Sequence, residues 1–172
     1  MIVGLADAPD AWPMIEEIFF LSSSVRTFDS DDARQRFLDA RTGYYRESEP
    51  SGIYLCLTSD NSVAGYLMGC RDSRTAKRLY VDIASYAVFE DQFDAYPAHF
   101  HVNCHPDHRD RGIGGRLVAA FLDDCQGKGL SGVHVVTAAG ARNVGFYRRR
   151  GFETVARRRW RDRDLVCLGR AP

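Results

Sequence analysis

The chain has 172 residues, 45% hydrophobic and 27% charged, and its 23 basic and 23 acidic side chains cancel to a formal net charge of zero. This is the composition of a soluble globular protein, and residues 1–172 are expected to form one domain with a real core. Zero net charge argues against bulk electrostatic capture of nucleic acid or of a membrane, and no apolar run is long enough to span a bilayer.

The opening Met-Ile-Val-Gly-Leu-Ala-Asp has no basic leader before an apolar stretch, so no signal peptide is expected. Cys56, Cys70, Cys104, Cys125 and Cys167 are odd in number and scattered through apolar runs. No Cys-x-x-Cys pair offers a metal site. The expectation is no metal, and reduced, buried thiols in a cytoplasmic protein.

In chain order, Ile2–Ala6 reads as a short strand. Asp7 or Asp10 is placed to cap a helix whose apolar face carries Trp12, Ile15, Ile18, Phe19 and Leu21. Ser22–Ser24 break it. Asp29–Asp32 supply caps and first-turn acids for a second helix, Asp31 to about Arg46, with Phe37, Leu38 and Tyr45 inward. Gly52–Ser59 and Ser62–Arg71 form a hairpin about Asp60-Asn61. Gly65 and Gly69 thin its second strand and point to a bulge or a close ligand approach. Residues 72–95 read as a helix-rich insertion. Its acids Asp82, Glu90, Asp91 and Asp94 either meet a cationic amine or form a solvated surface.

The informative stretch is His101-Val-Asn-Cys-His-Pro-Asp-His-Arg-Asp-Arg-Gly-Ile-Gly-Gly-Arg116. His99–Cys104 alternates as a strand, and Pro106 ends it. Leu117, Val118, Phe121, Leu122 and Cys125 then recur at helical spacing. The first N–H groups of a helix lack intrahelical partners and sit at the positive end of its dipole. Gly112 and Gly114 remove side chains from that end, and Arg109, Arg111 and Arg116 surround it with positive charge. The turn is a site for a diphosphate or similar anion. The nucleotide pattern Gly-x-x-x-x-Gly-Lys-Ser/Thr is absent, and Leu117 stands where the third glycine of a dinucleotide fingerprint belongs.

Beyond the helix, Gly127-Lys-Gly129 closes it. Val133–Thr137 is a buried strand, and Ala141–Arg150 is a short helix ended by Gly151. Phe152–Arg161 and Asp164–Leu168 pair about Asp162-Arg163. The arginines at 148–150 and 157–161, with Trp160 among them, have the ingredients of a nucleic-acid surface. Strand alternation sends half of them to each face, so a solvated surface is the better reading.

Arg109-x-x-Gly112-x-Gly114 resembles the acetyl-CoA signature of the GNAT N-acetyltransferase superfamily. Asn143, Phe146, Tyr147, Gly151 and Phe152 resemble its later motif, in matching order and spacing. The wording of Pro97–Phe152 looks most like the acetyltransferase-like domain of O-GlcNAcases and its free-standing bacterial relatives. The resemblance implies a mixed, mostly antiparallel α/β sheet flanked by helices, with a splay between the strands at 99–104 and 133–137. It implies that Asn103, Cys104 and His105 keep unpaired backbone groups for a pantetheine arm, and that Arg111, Gly112, Ile113, Gly114, Gly115 and Arg116 hold the diphosphate, with Arg109, Asn143 and Phe146 assisting.

By the same resemblance Tyr147 is the acid for the departing thiolate. His101 is the candidate base, with His99, His105, His134, the acids of 80–94 or a water chain as rivals. The expected partners are acetyl-CoA, an amine acceptor that no motif names, and a second copy in a homodimer. A membrane and nucleic acid are not expected. The alternative function is a non-catalytic binding module on the same fold.

Overall fold

The computed structural model describes residues 1–172. Seven strands form one sheet: β1 Ile2–Gly4, β2 Ile53–Leu57, β3 Val63–Cys70, β4 Ala98–Cys104, β5 Val133–Ala138, β6 Glu153–Trp160 and β7 Arg163–Arg170, in the order β1-β2-β3-β4-β5-β7-β6. Five α-helices accompany them: α1 Trp12–Ser22, α2 Asp31–Ser48, α3 Lys77–Asp82, α4 Ile113–Gly127 and α5 Asn143–Arg148. The mixed α/β class and the element order expected from the sequence are those observed. The chain divides into two compact units, Met1–Gly69 with His101–Phe121, and Cys70–Phe100 with Leu122–Pro172.

In the first unit, α1 buries Ile15, Ile18 and Phe19 at i, i+3, i+4 spacing, and α2 buries Leu38, Tyr44 and Tyr45. The N-terminus of α2 is capped as its sequence suggests, with the Ser30 hydroxyl accepting from the Ala33 N–H at 3.1 Å. The start of α1 differs from expectation. Neither Asp7 nor Asp10 caps it; the N-cap is Ala11, without a side-chain bond, and Pro13 pre-sets the first turn. Asp7 instead accepts from the Gly4 N–H at 3.2 Å. That bond pulls Leu5–Asp7 into a 3₁₀ turn and ends β1 two residues early.

All eight residues of β3 are buried. Its two glycines meet the protein itself rather than a ligand. A Cβ at Gly69 would stand 2.2 Å from the Phe121 ring of α4, and one at Gly65 would stand 2.9 Å from the Asn103 carbonyl and 3.0 Å from the Ile113 side chain. The helix and the end of β4 therefore lie as close to β3 as a bare backbone allows.

In the second unit, residues 72–95 are helical in part, as α3 and a 3₁₀ segment over Ala87–Gln92. The latter buries Phe89 with Leu165 and Cys167 of β7, so this insertion is a packed piece of the core. The closing hairpin turns at Arg161, whose φ is +55°, and β7 starts at Arg163, one residue earlier than its sequence suggests.

Replacing Gly69 with Ala forces the Phe121 ring to move. The expected loss is about 1–3 kcal/mol in urea denaturation, and Phe121→Leu in the same chain is expected to restore part of it.

Candidate functional site

The glycine turn lies within the first unit. Pro106–His108 forms one 3₁₀ turn, Asp110 and Gly112 follow with φ of +60° and +74°, and α4 starts at Ile113. Left-handed backbone is tolerated by Asp and suits Gly. The Gly112 carbonyl accepts the Arg116 N–H at 3.1 Å, so the helix begins there. Helix geometry leaves the N–H groups of Ile113, Gly114 and Gly115 without intrahelical acceptors. A Cβ at Gly112 would meet nothing within 4 Å; the glycine serves the turn's conformation and keeps its outer side open. Arg109, Arg111 and Arg116 are exposed around it, with the Arg116 guanidinium 3.4 Å from Cys56 Sγ. This is a fit for an anionic group.

The second feature is the end of a ladder. β4 and β5 are parallel and pair only at Ala98–Val133 and His99–His134, although β4 runs on to Cys104 and β5 to Ala138. Alternation fixes which groups this leaves. The Ala98 N–H donates to Gly132 at 3.2 Å, on the β5 side, and the His105 N–H donates to Ala64 of β3 at 3.0 Å. Even-numbered residues of β4 therefore direct their backbone groups toward β5 and odd-numbered ones toward β3. This corrects the expectation for Asn103 and His105, whose backbone faces β3. Val102, beyond the last paired residue, faces the side on which the ladder has ended. The Asn103 side chain is also engaged, donating to the Tyr66 hydroxyl at 2.8 Å. His105 Nδ1 accepts from the Asp107 N–H at 3.3 Å.

The second unit holds the later motif. Asn143 is the first residue of α5 and not its N-cap, which is Arg142; its Oδ1 accepts from the Thr137 hydroxyl at 3.0 Å. Phe146 is covered by the Arg150 guanidinium at 3.7 Å. Tyr147 is 5% exposed, among Phe100, Phe146 and Phe152 at ring distances of 6.0, 5.1 and 5.8 Å. Burial raises its phenol above the ordinary value and nearby Tyr86 raises it further, with Arg150 opposing. It is protonated at any physiological pH.

The five histidines divide sharply. His101 lies between Tyr45 and Tyr66, at ring distances of 5.2 and 5.6 Å. Its Nε2 is out of reach of solvent and has no hydrogen-bond partner. Burial pushes it down to about 4. His99 and His134 are buried in the second unit with rings 5.6 Å apart. The Ser73 hydroxyl donates to the Pro97 carbonyl at 2.7 Å, so it must accept from His99 Nδ1, 2.6 Å away. His134 Nδ1 donates to the Tyr96 carbonyl at 2.6 Å, and burial holds this ring near 4 as well. Both rings donate from Nδ1 and are held in fixed orientations. His105 and His108 stand 5.7 Å apart on the turn.

The acids of 80–94 divide too. Asp91 pairs with Arg158 at 2.9 Å and Asp94 with Arg74 at 3.3 Å, while Asp82 and Glu90 are exposed. Of the basic cluster, Arg150 lies over Phe146, Arg159 pairs with Asp164 at 3.2 Å, and Arg161 lies over Trp160. Sequence reasoning overlooked Val102, whose place follows from strand parity, and Tyr86, which lies in the insertion and has no motif.

The profile of the acetyltransferase (GNAT) family matches residues 12–152. The chain belongs to that family, and the match runs through both units. Solved structures agree in fold. SsHAT superposes with a TM-score of 0.76 at 21% identity, over 95% of this chain and 94% of that one. The ribosomal-protein-alanine N-acetyltransferase of Brucella melitensis gives 0.64 at 18%, over 100% and 99%. The yncA protein of Salmonella typhimurium, solved with its cofactor acetyl-CoA, gives 0.65 at 19%, over 99% and 92%. No helix is long and apolar enough to cross a membrane.

The depressed histidines set a pH dependence. Unfolded, His101 and His134 titrate near the ordinary 6.5; folded, near 4. Between these values the unfolded chain binds protons that the folded chain does not, so stability is complete above about pH 6.5 and falls as pH drops toward 4. The urea midpoint should decline across that window, and His134→Gln should remove about half of the decline, since the two shifts are alike.

Proposed function

We propose that this chain is an acetyl-CoA-dependent N-acetyltransferase that moves an acetyl group to a primary amine of a small molecule or a protein, by direct transfer in a ternary complex. Residues 1–172 act as one catalytic domain. The observation that supports this most is the ladder that ends at His99–His134 while β4 continues. An extended amide chain added along β4 would pair with Val102 as a further strand does.

The diphosphate of acetyl-CoA would rest on the amides of Ile113, Gly114 and Gly115, ringed by Arg109, Arg111 and Arg116. Asn143, its Oδ1 held by Thr137, presents its amide nitrogen as a donor to the cofactor, and Phe146 packs against it. The acceptor arrives as an ammonium with a pKa near ~10.4 and must lose a proton before it attacks. His101, neutral and with an unpartnered Nε2, takes that proton. A histidine held near 4 grips it weakly, so it passes the proton onward rather than storing it. The amine nitrogen then bonds to the thioester carbon, the carbon–sulfur bond breaks, Tyr147 gives its phenolic proton to the thiolate, and the second proton shed by the acylated nitrogen returns to the Tyr147 oxygen.

The wording of Pro97–Phe152 supports a place near the acetyltransferase-like domain of O-GlcNAcases within the family. Five free cysteines, four of them buried, suit the reducing cytoplasm proposed for it. A homodimer belongs to the same proposal.

Calorimetry with acetyl-CoA tests the reading directly, and no heat of binding sinks it. Gly112→Ala should weaken binding about tenfold, since a side chain at that φ costs about 1–2 kcal/mol. Thiol release on a panel of amines should fall roughly 10²–10⁴-fold in Tyr147→Phe and at least about 10²-fold in His101→Ala, with acetyl-CoA affinity little changed.

A further inference from the structure

A small cavity closes the end of the β4–β5 ladder. Its walls are Tyr86, His99, Phe100, His134, Val135 and Val136. Its volume is about 10 Å³, the room that one water needs. A methyl group is of that order; a propyl chain is not.

The walls differ in origin. Five residues belong to β4 and β5. Two of these are the fixed imidazoles, His99 held by Ser73 and His134 held by the Tyr96 carbonyl and stacked on Phe93 at 5.0 Å. Tyr86 is the sixth, and it comes from the insertion between β3 and β4. Its ring stands 5.9 Å from that of His99. Its carbonyl accepts the Phe89 N–H at 3.2 Å, and Phe89 is fully buried against β7. The insertion is anchored three residues beyond the tyrosine, so the ring is held against the cavity.

This step rests on the reading just given. A thioester whose diphosphate sits at the Gly112 turn, and whose amide arm pairs with Val102, runs back along β4 toward Phe100. The four residue steps from Cys104 to Phe100 span about 13 Å of extended strand. The acyl group at the end of the arm therefore arrives where the strands join. We propose that Tyr86 is a specificity-determining residue, a plug that limits the transferred acyl group to two carbons. Removing the ring opens space along the acyl chain, and so does shortening Val136, which lines the same cavity. A pocket that merely lacks room discriminates between chain lengths by roughly 10–200-fold.

The test is calorimetry with CoA, acetyl-CoA and butyryl-CoA on the parent chain, Tyr86→Ala and Val136→Ala. The parent should bind acetyl-CoA at least about tenfold tighter than butyryl-CoA, and at least one folded variant should bring the two within about threefold. A preference left unchanged in every variant that folds overturns the proposal, as does a parent that binds both thioesters equally. A parent that does not bind CoA itself overturns the acetyltransferase reading instead, so the two failures are told apart. Val136→Ala keeps the test open if Tyr86→Ala does not fold.

Discussion

Everything distinctive in this structure follows from a hydrogen-bond demand that the sheet declines to meet. β4 is an interior strand, and such a strand normally satisfies its backbone on both sides. Here one side is served down to His105, by β3, and the other only as far as His99. The chain does not relieve this by ending β4 early. Alternation then places the open edge of β4 at Val102. A backbone amide needs a partner, and an extended ligand that brings amides of its own is what the proposed function supplies.

The surrounding architecture holds that edge in place without covering it. Gly65 lets β3 approach the Asn103 carbonyl and the start of α4, and Gly69 lets the Phe121 ring of the same helix lie on the strand. These two bare positions set how close the helix stands, and so where its first N–H groups point. Gly112 acts differently. Nothing crowds it; it is needed because φ there is +74°. Three glycines of one region thus do two physical jobs, close approach in two cases and backbone conformation in the third.

The buried aromatic and imidazole groups follow one rule, that burial opposes charge. His101 and His134 are pushed down, and Tyr66 and Tyr147 are pushed up. All four are neutral near pH 7. Fixed charge is left to the exposed arginines of the turn. The partnerless nitrogen of His101 is the one place among these where a polar demand is left open, and it lies on the same strand as the unmet backbone groups.

Much of this was legible in the chain. The mixed fold, both helices of the first unit, the β2–β3 hairpin, the glycine turn and the Asn143–Phe152 block all carry local signals: 3.6-residue spacing, turn residues and glycines at fixed offsets. Local signals are what a sequence holds directly, because they depend on neighbours within a few residues. The sequence fell short wherever partners are distant. Asp7 does not cap α1 because the Gly4 N–H claims it. Asn103 and His105 turned to β3 because register, not composition, decides which edge a residue faces. Tyr86 meets His99 only through the packing of Phe89 against β7. Residue type and spacing determined which chemistry the chain can support. The tertiary structure decided which of those groups are already satisfied, since satisfaction depends on a second residue that folding alone brings near.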